Sequence, residues 1–308
     1  MNCSKTERLF LGVADDNNSA TAILGDSQGR VIARNVSGSV NYVRYGISQA
    51  RRNLEELILG SLGCKTENVL DTVCFTYKSQ QILDVYHLNC LVQGLLEKTN
   101  IQMSDFRSAT ILGLPKGRAQ MLVIGGESSY VLFRCQSGLR YELKHPCSSW
   151  DIAVRTWDRI KKNPNNYGSQ ELHELFFHFS TALNYGQTLK IAQHVNEFAE
   201  MGNPIALEVL CDAADDLIHL IVQMIRYMDV SDPYIGLYGP VFLGSEIIYH
   251  RIKKVIRLLV PEAQIMMAPH APAKGAYLAS LKGRKFNGNS EKVNIMPTSS
   301  YRSFEREC

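Results

Sequence analysis

One order of elements occurs twice along this chain, and that order limits the folds open to it. Three short apolar runs, Leu9–Ala14, Ala20–Gly25 and Arg30–Asn35, open the first half, the last two joined by the turn signal Asp26-Ser-Gln-Gly29. A helical stripe follows at 47, 50, 54, 57, 58 and 62, opposite Arg51, Arg52 and Glu55. The pattern then predicts a strand over 69–76, a helix over 80–97 and a short helix over 105–112. From Ala119 the order begins again, with runs at Gln120–Ile124, Ser129–Cys135 and Leu139–Leu143. Helices are expected over 148–161, 170–178, 187–201 and 204–227, the last opened by Asn203-Pro204, a cap followed by proline in the first turn. A strand at 234–238, a helix at 245–259, a strand at 264–267 and a helix at 272–282 complete the pattern. The spacing predicts an α/β protein with two related domains, each with three antiparallel strands extended by parallel ones. A nucleotide is expected in the cleft between them.

Composition agrees with two folded domains. The chain has 308 residues, 45% of them apolar and 20% charged, enough for a substantial core. Its 33 basic and 30 acidic residues are too balanced to signal nucleic-acid binding. The apolar run after Arg8 is short and reads as a strand, not a secretory segment. Leu217–Ile225 is interrupted by His219 and Gln223, and no run reaches the roughly 20 apolar residues of a spanning helix. The expectation is a soluble, cytoplasmic protein that does not engage a membrane. Eight cysteines occur without a Cys-x-x-Cys pair, so neither zinc nor redox chemistry is signalled, and reduced thiols are expected. Sequons at Asn2, Asn17 and Asn35 then carry no meaning. The stretch 283–308, rich in Asn, Ser, Lys and Arg, is expected to be a disordered tail.

Several segments carry a specific resemblance. Leu11-Gly-Val-Ala-Asp-Asp-Asn-Asn-Ser-Ala-Thr-Ala-Ile-Leu-Gly-Asp-Ser-Gln-Gly-Arg-Val-Ile32 resembles the opening hairpin of the BadF/BadG-type ATPase and N-acetylglucosamine kinase family, of the actin-like, sugar-kinase and heat-shock ATPase superfamily. Ser37-Gly-Ser-Val-Asn-Tyr-Val-Arg-Tyr-Gly46, Gly239-Pro-Val-Phe242 and Ala271-Pro-Ala-Lys-Gly-Ala-Tyr-Leu-Ala279 resemble its later elements. The likeness runs from about residue 9 to 282. It implies two ribonuclease-H-like (actin-like ATPase) domains, over 8–104 and 105–282. It implies transfer of the ATP γ-phosphate to a sugar hydroxyl, N-acetylglucosamine or similar, with ATP and Mg²⁺ as cofactors. Nucleotide and a small sugar would be the partners, and a homodimer is open as an assembly.

The residues that would do this chemistry have changed. The family's Asp-Gly-Gly-Gly-Thr-x-Thr tip is here Ala14, Asp15, Asp16, Asn17, Asn18, Ser19 and Ala20. Two like charges about 4 Å apart repel by roughly 4 kcal/mol at an effective dielectric near 20. One such Asp beside a phosphate would therefore weaken binding by about three orders of magnitude. The run has no matching ligand cluster elsewhere, so no metal site is assigned. The second phosphate loop, Gly-Thr-Gly-Ser in the family, is Gly126-Glu-Ser-Ser129 here. The family's acidic sugar-side loop is replaced by His145-Pro-Cys-Ser-Ser149. Two positions persist. Asp105 stands where the resemblance places the general base, and Asn41 where it places a sugar contact. Asp105 is equally explained as a helix-start carboxylate and Asn41 as a turn former. By resemblance the nucleotide would meet Asn17, Asn18, Gly126, Ser128, Ser129, Gly239 and Gly275. If these changes abolish transfer, the chain is instead a silenced member, a pseudokinase acting as a binding or regulatory scaffold.

Other patterns weigh little. His173 and His178 are five apart, about 140° round a helix, and do not form a zinc pair. Ser128 lies before a strand, so Gly126-Glu-Ser128 is not a nucleophile elbow. Arg251, Lys253, Lys254 and Arg257 form the solvated face of an amphipathic helix. His270 is a loop histidine without an evident partner. No Gly-x-x-x-x-Gly-Lys-Ser/Thr loop is present.

Overall fold

A strand covered on both faces needs apolar side chains on each, and β1 (Arg8–Asp15) has them. In the computed structural model Leu9, Leu11 and Val13 join one core cluster, while Phe10 and Ala14 join another. The structure describes residues 8–16, 19–63, 69–77, 91–92, 94–96, 99–115, 120–126, 129–134, 140–145, 147–162, 164, 168–177, 185–227, 229–282 and 294–295. The chain divides into two units, Met1–Pro115 with His270–Glu291 and Lys116–Pro269 with Lys292–Cys308.

In the first unit β1, β2 (Ser19–Asp26) and β3 (Val31–Gly38) form an antiparallel meander. A short helix α1 (Tyr42–Tyr45) and α2 (Ile47–Leu62) follow. Next come β4 (Val69–Tyr77) and β5 (Asn100–Asp105), both parallel to β1, then α3 (Phe106–Gly113). The sheet order is β3-β2-β1-β4-β5. Helix α2 buries Ala50, Leu54, Leu57 and Ile58 against the first cluster, each of the larger three contributing about 2 kcal/mol. Ile47, placed in the stripe by its spacing, is half exposed.

The second unit repeats this plan. β6 (Gln120–Gly125), β7 (Ser129–Arg134) and β8 (Arg140–His145) form the meander. Helices α4 (Ser149–Lys162), α5 (Ser169–Phe177), α6 (Tyr185–Glu200) and α7 (Pro204–Tyr227) intervene. Then come β9 (Tyr234–Tyr238), a short α8 (Pro240–Leu243), α9 (Glu246–Leu259) and β10 (Gln264–Met267). β9 is parallel to β6, and β10 to β9. The order is β10-β9-β6-β7-β8-β11, where β11 is Asn294–Ile295. Asn203 caps α7 as expected, its Oδ1 accepting from the Ile205 and Ala206 N–H groups at 3.1 Å each. Leu217 and Ile221 of α7 and Ile248, Ile252 and Ile256 of α9 share one core with Met121, Val123, Val131 and Phe133 of the sheet.

The two-domain α/β expectation and the strand arrangement are borne out; several details differ. The last helix, α10 (Ala271–Ser280), clusters with the first unit, as do residues 105–115, although the sequence placed both in the second domain. Close helix packing is the reason: a Cβ on Gly275 would lie 1.6 Å from the Ala109 carbonyl oxygen, and one on Gly113 2.0 Å from that of Ala271. β5 had no counterpart in the pattern, because its buried positions Gln102 and Ser104 are polar. Within the tail expected to be disordered, Asn294 and Ile295 pair with Tyr141 and Glu142 of β8. The helix expected over 80–97 lies outside the described residues except at 91–92 and 94–96, where 91 and 92 are helical.

Candidate functional site

Ligands of open α/β sheets bind outside the carboxyl ends of the parallel strands. In the first unit those ends carry Asp15 on β1, Tyr77 on β4 and Asp105 on β5, with Tyr77 in register beside Asp105. The Asp15 carboxylate is tied down. It accepts from the Ser39 hydroxyl at 2.9 and 3.0 Å and from the Val40 N–H at 2.5 Å. Ser39 is itself buried; its carbonyl accepts from Asn53 Nδ2 at 2.7 Å and its Oγ from the Asn41 N–H at 3.0 Å. Asp16 folds over the tip, taking the Ser19 N–H on Oδ1 at 2.8 Å. Asn17 and Asn18 lie outside the described residues.

Asn41 caps α1: its Oδ1 accepts from the Val43 N–H at 3.0 Å and the Arg44 N–H at 3.2 Å. Asp105 caps α3, accepting from the Ser108 N–H at 2.8 Å, and remains half-buried at the strand end. Both residues have the local roles that compete with the chemistry the resemblance implies, yet Asp105 stands at the carboxyl end of the parallel strands. Gly275 does not. It faces α3 in the packed helix crossing, where a side chain would strike the Ala109 carbonyl, so close packing already accounts for a glycine there. His270 stands at the N-terminal end of α10 without a side-chain cap bond; burial, with Arg34 nearby, lowers its pKa.

In the second unit Gly125, Ser129 and His145 lie in one row across β6, β7 and β8, with Tyr238 beside Ile124. The Ser129 hydroxyl is fully buried and donates to the Cys147 carbonyl at 2.7 Å, which turns it inward rather than toward a ligand. The Gly126 carbonyl accepts from the Ser149 N–H at 2.8 Å, fixing the start of α4 to this edge. Gly239 has φ 116°, and a Cβ there would lie 2.2 Å from the Gly125 carbonyl oxygen. A side chain at Gly125 would strike the buried Phe242 ring at 2.7 Å. Glycines at these strand ends thus admit neighbouring protein atoms, a role the sequence did not distinguish from phosphate contact. Glu127 and Ser128 lie outside the described residues. Burial pushes the Cys74 and Cys147 thiols up to about 12, so neither is a nucleophile at neutral pH.

The ATP and Mg²⁺ that the resemblance implies can be tested against these residues. A polyphosphate needs bare N–H groups and room for its oxygens. The first tip instead presents two carboxylates, one of them holding the segment after β3. These residues do not fit the group. Among the described residues no cluster of three His, Cys, Asp or Glu side chains suits a metal ion, and no helix is long and apolar enough to cross a membrane. His173 stacks near Trp157, ring centres 6.0 Å apart, as a packing histidine; His178 lies outside the described residues. Arg251 of α9 pairs with Asp215 of α7, so part of its basic face holds two helices together.

No family model matches the chain, and no curated protein matches its sequence. Solved structures do. A candidate N-acetylglucosamine kinase from Chromobacterium violaceum is similar with a TM-score of 0.63 and 14% identity, covering 89% of this chain and 99% of that one. A ROK family glucokinase from Streptomyces griseus, solved with glucose and AMPPNP, gives 0.55 and 15%, covering 89% and 100%. A ROK family transcriptional regulator, homologous to the Escherichia coli Mlc protein, gives 0.55 and 12%, covering 89% and 78%. The chain therefore has the two-domain α/β fold of the actin-like ATPases and sugar kinases, the fold that its resemblance to the BadF-type ATPase and N-acetylglucosamine kinase family implies.

Proposed function

We propose that this is an N-acetylglucosamine-kinase-like protein that keeps the scaffold for binding a small sugar and has given up phosphoryl transfer, working as a regulatory or binding module in the cytoplasm. The observation that carries the reading is the Asp15 carboxylate, which occupies a position where the resemblance has glycine and holds Ser39 and Val40. Restoring phosphate binding there means both removing a charge and breaking a local bond network. A regulator built on the same fold gives the reading a precedent in kind.

A fluorescent ATP analogue titrated with and without Mg²⁺ tests it, alongside calorimetric titration with N-acetylglucosamine and glucose. The expected result is sugar binding without micromolar, Mg²⁺-dependent nucleotide binding; the opposite pattern sinks the reading. Trp150, 48% exposed at the start of α4 and one of two tryptophans, offers an intrinsic fluorescence signal.

A second reading, an active sugar kinase, is favoured by Asp105. A carboxylate at the end of β5 is suitably placed to take the proton of an attacking sugar hydroxyl. Phosphorylated sugar formed at a rate proportional to enzyme would establish it.

A further inference from the structure

Asn196 of α6 is 6% exposed. Its Nδ2 donates to Glu200 Oε1 at 2.7 Å, which fixes the amide orientation, since the reverse would set oxygen against carboxylate. Its Oδ1 has no hydrogen-bond partner among the described residues. Buried carbonyl oxygens without a donor are rare and costly. The same residue lines a small, partly open cavity of about 10 Å³, together with Ile152, Ala192, Leu210, Val241 and Ser245. That is room for about one water molecule. Ser245 is 3% exposed, and its Oγ takes the Ile248 N–H at 3.3 Å, which leaves the hydroxyl hydrogen to be donated.

We propose that this cavity is a binding site for a single ordered water, which donates to Asn196 Oδ1 and accepts from the Ser245 hydroxyl. The water ties α6 to the cap of α9. It thereby supports from below the Gly239–Gly244 turn, whose Phe242 ring lies on Gly125 at the strand edge. An empty apolar cavity stays dry, but one with an unmet acceptor and an available donor does not. The site belongs to the second unit alone and is independent of whether the protein transfers phosphate.

Ala192→Val adds volume to the cavity wall while leaving Asn196 in place. If water is there, its loss strands Oδ1, and Tm falls by roughly 2–6 °C. If the cavity is dry, filling it raises Tm, which overturns the proposal. A clash would also lower Tm, so Asn196→Val is combined with Ala192→Val. Because Asn196→Val also loses the bond to Glu200, the double variant is compared with Asn196→Val alone: with the acceptor gone, adding Ala192→Val lowers Tm little, and a fall as large as in the parent overturns the proposal. A crystal structure of the unmodified protein should show one water within hydrogen-bond distance of Asn196 Oδ1 and Ser245 Oγ, and clear density without it is equally decisive against it.

Discussion

The Asp15 carboxylate and the Ser39 hydroxyl, 24 residues apart in sequence, meet at 2.9 and 3.0 Å at the carboxyl end of the first sheet. Asp15→Gly should therefore lower stability by about 1–3 kcal/mol, through lost hydrogen bonds and added chain freedom. With Asp16→Gly as well, two charges leave the tip, and affinity for an ATP analogue should rise roughly 10- to 1000-fold. Unchanged affinity in the double variant would mean that these carboxylates do not suppress nucleotide binding.

Asp105 combines a helix cap with a placement suited to a base, and two substitutions separate them. Asp105→Ala loses the bond from the Ser108 N–H and should cost about 1 kcal/mol in denaturant unfolding. Asp105→Asn keeps a capping oxygen and should unfold nearly as the parent does. If the kinase reading holds, Asp105→Asn abolishes turnover all the same; the silenced reading expects no turnover above background from either protein.

The crossing of α10 and α3 leaves no space for a methyl group at Gly275. Gly275→Ala should destabilise by about 3 kcal/mol or more, because the obstacle is the Ala109 backbone and cannot rotate away. Tyr277 on the same helix donates to the Asp26 carbonyl at 2.7 Å. Tyr277→Phe should cost only about 1 kcal/mol, since that carbonyl also accepts from the Gly29 N–H. Thermal unfolding should rank the two in that order.

The turn after β2 predicts a pH dependence. Burial works against the Asp26 carboxylate, but the Arg30 and Gln28 N–H groups and the Arg30 guanidinium outweigh it and hold its pKa below the ordinary value. A lowered carboxylate contributes stability above the unfolded value, about 3.9, that disappears as pH falls through the folded one. Asp26→Asn should thus flatten the acid limb of the stability curve. Tyr277 gives the opposite limb: burial, then the Asp26 charge, push its hydroxyl up to about 12. Its contribution is complete below the unfolded value, about 10, and is lost as pH rises toward 12. Tyr277→Phe should remove that alkaline loss.

Helices α4 and α7 are joined by Arg155, which bonds Asp151 at 2.8 Å and Asp216 at 2.6 Å. Desolvation raises the pKa of Asp151 despite Arg155, so removing the arginine leaves a half-buried carboxylate poorly compensated. Arg155→Ala should cost about 1 kcal/mol, with the difference shrinking in high salt. A salt-independent loss would point to packing of the side-chain stem instead.

The elements were readable where one physical pattern governed them. Apolar β1, the stripe of α2 and the Asn203-Pro204 start of α7 follow from short-range periodicity and capping, and each is where its residues imply. β5 escaped because Gln102 and Ser104 are polar residues buried by neighbours that a local window cannot see. Gly275 is ambiguous for a related reason: a glycine is required equally by a close ligand and by a close helix, and the letters do not say which.

By itself, then, the sequence determined the two-fold order of strands and helices, the superfamily to compare, and the absence of the phosphate-loop glycines. Local preferences and hydrophobic period suffice for that. Only the tertiary structure decided that Asp15 holds Ser39 and Val40, that Ser129 turns inward to Cys147, and that α10 packs on α3. These depend on contacts between residues 18 to more than 150 positions apart, whose partners are set by the folding of whole sheets.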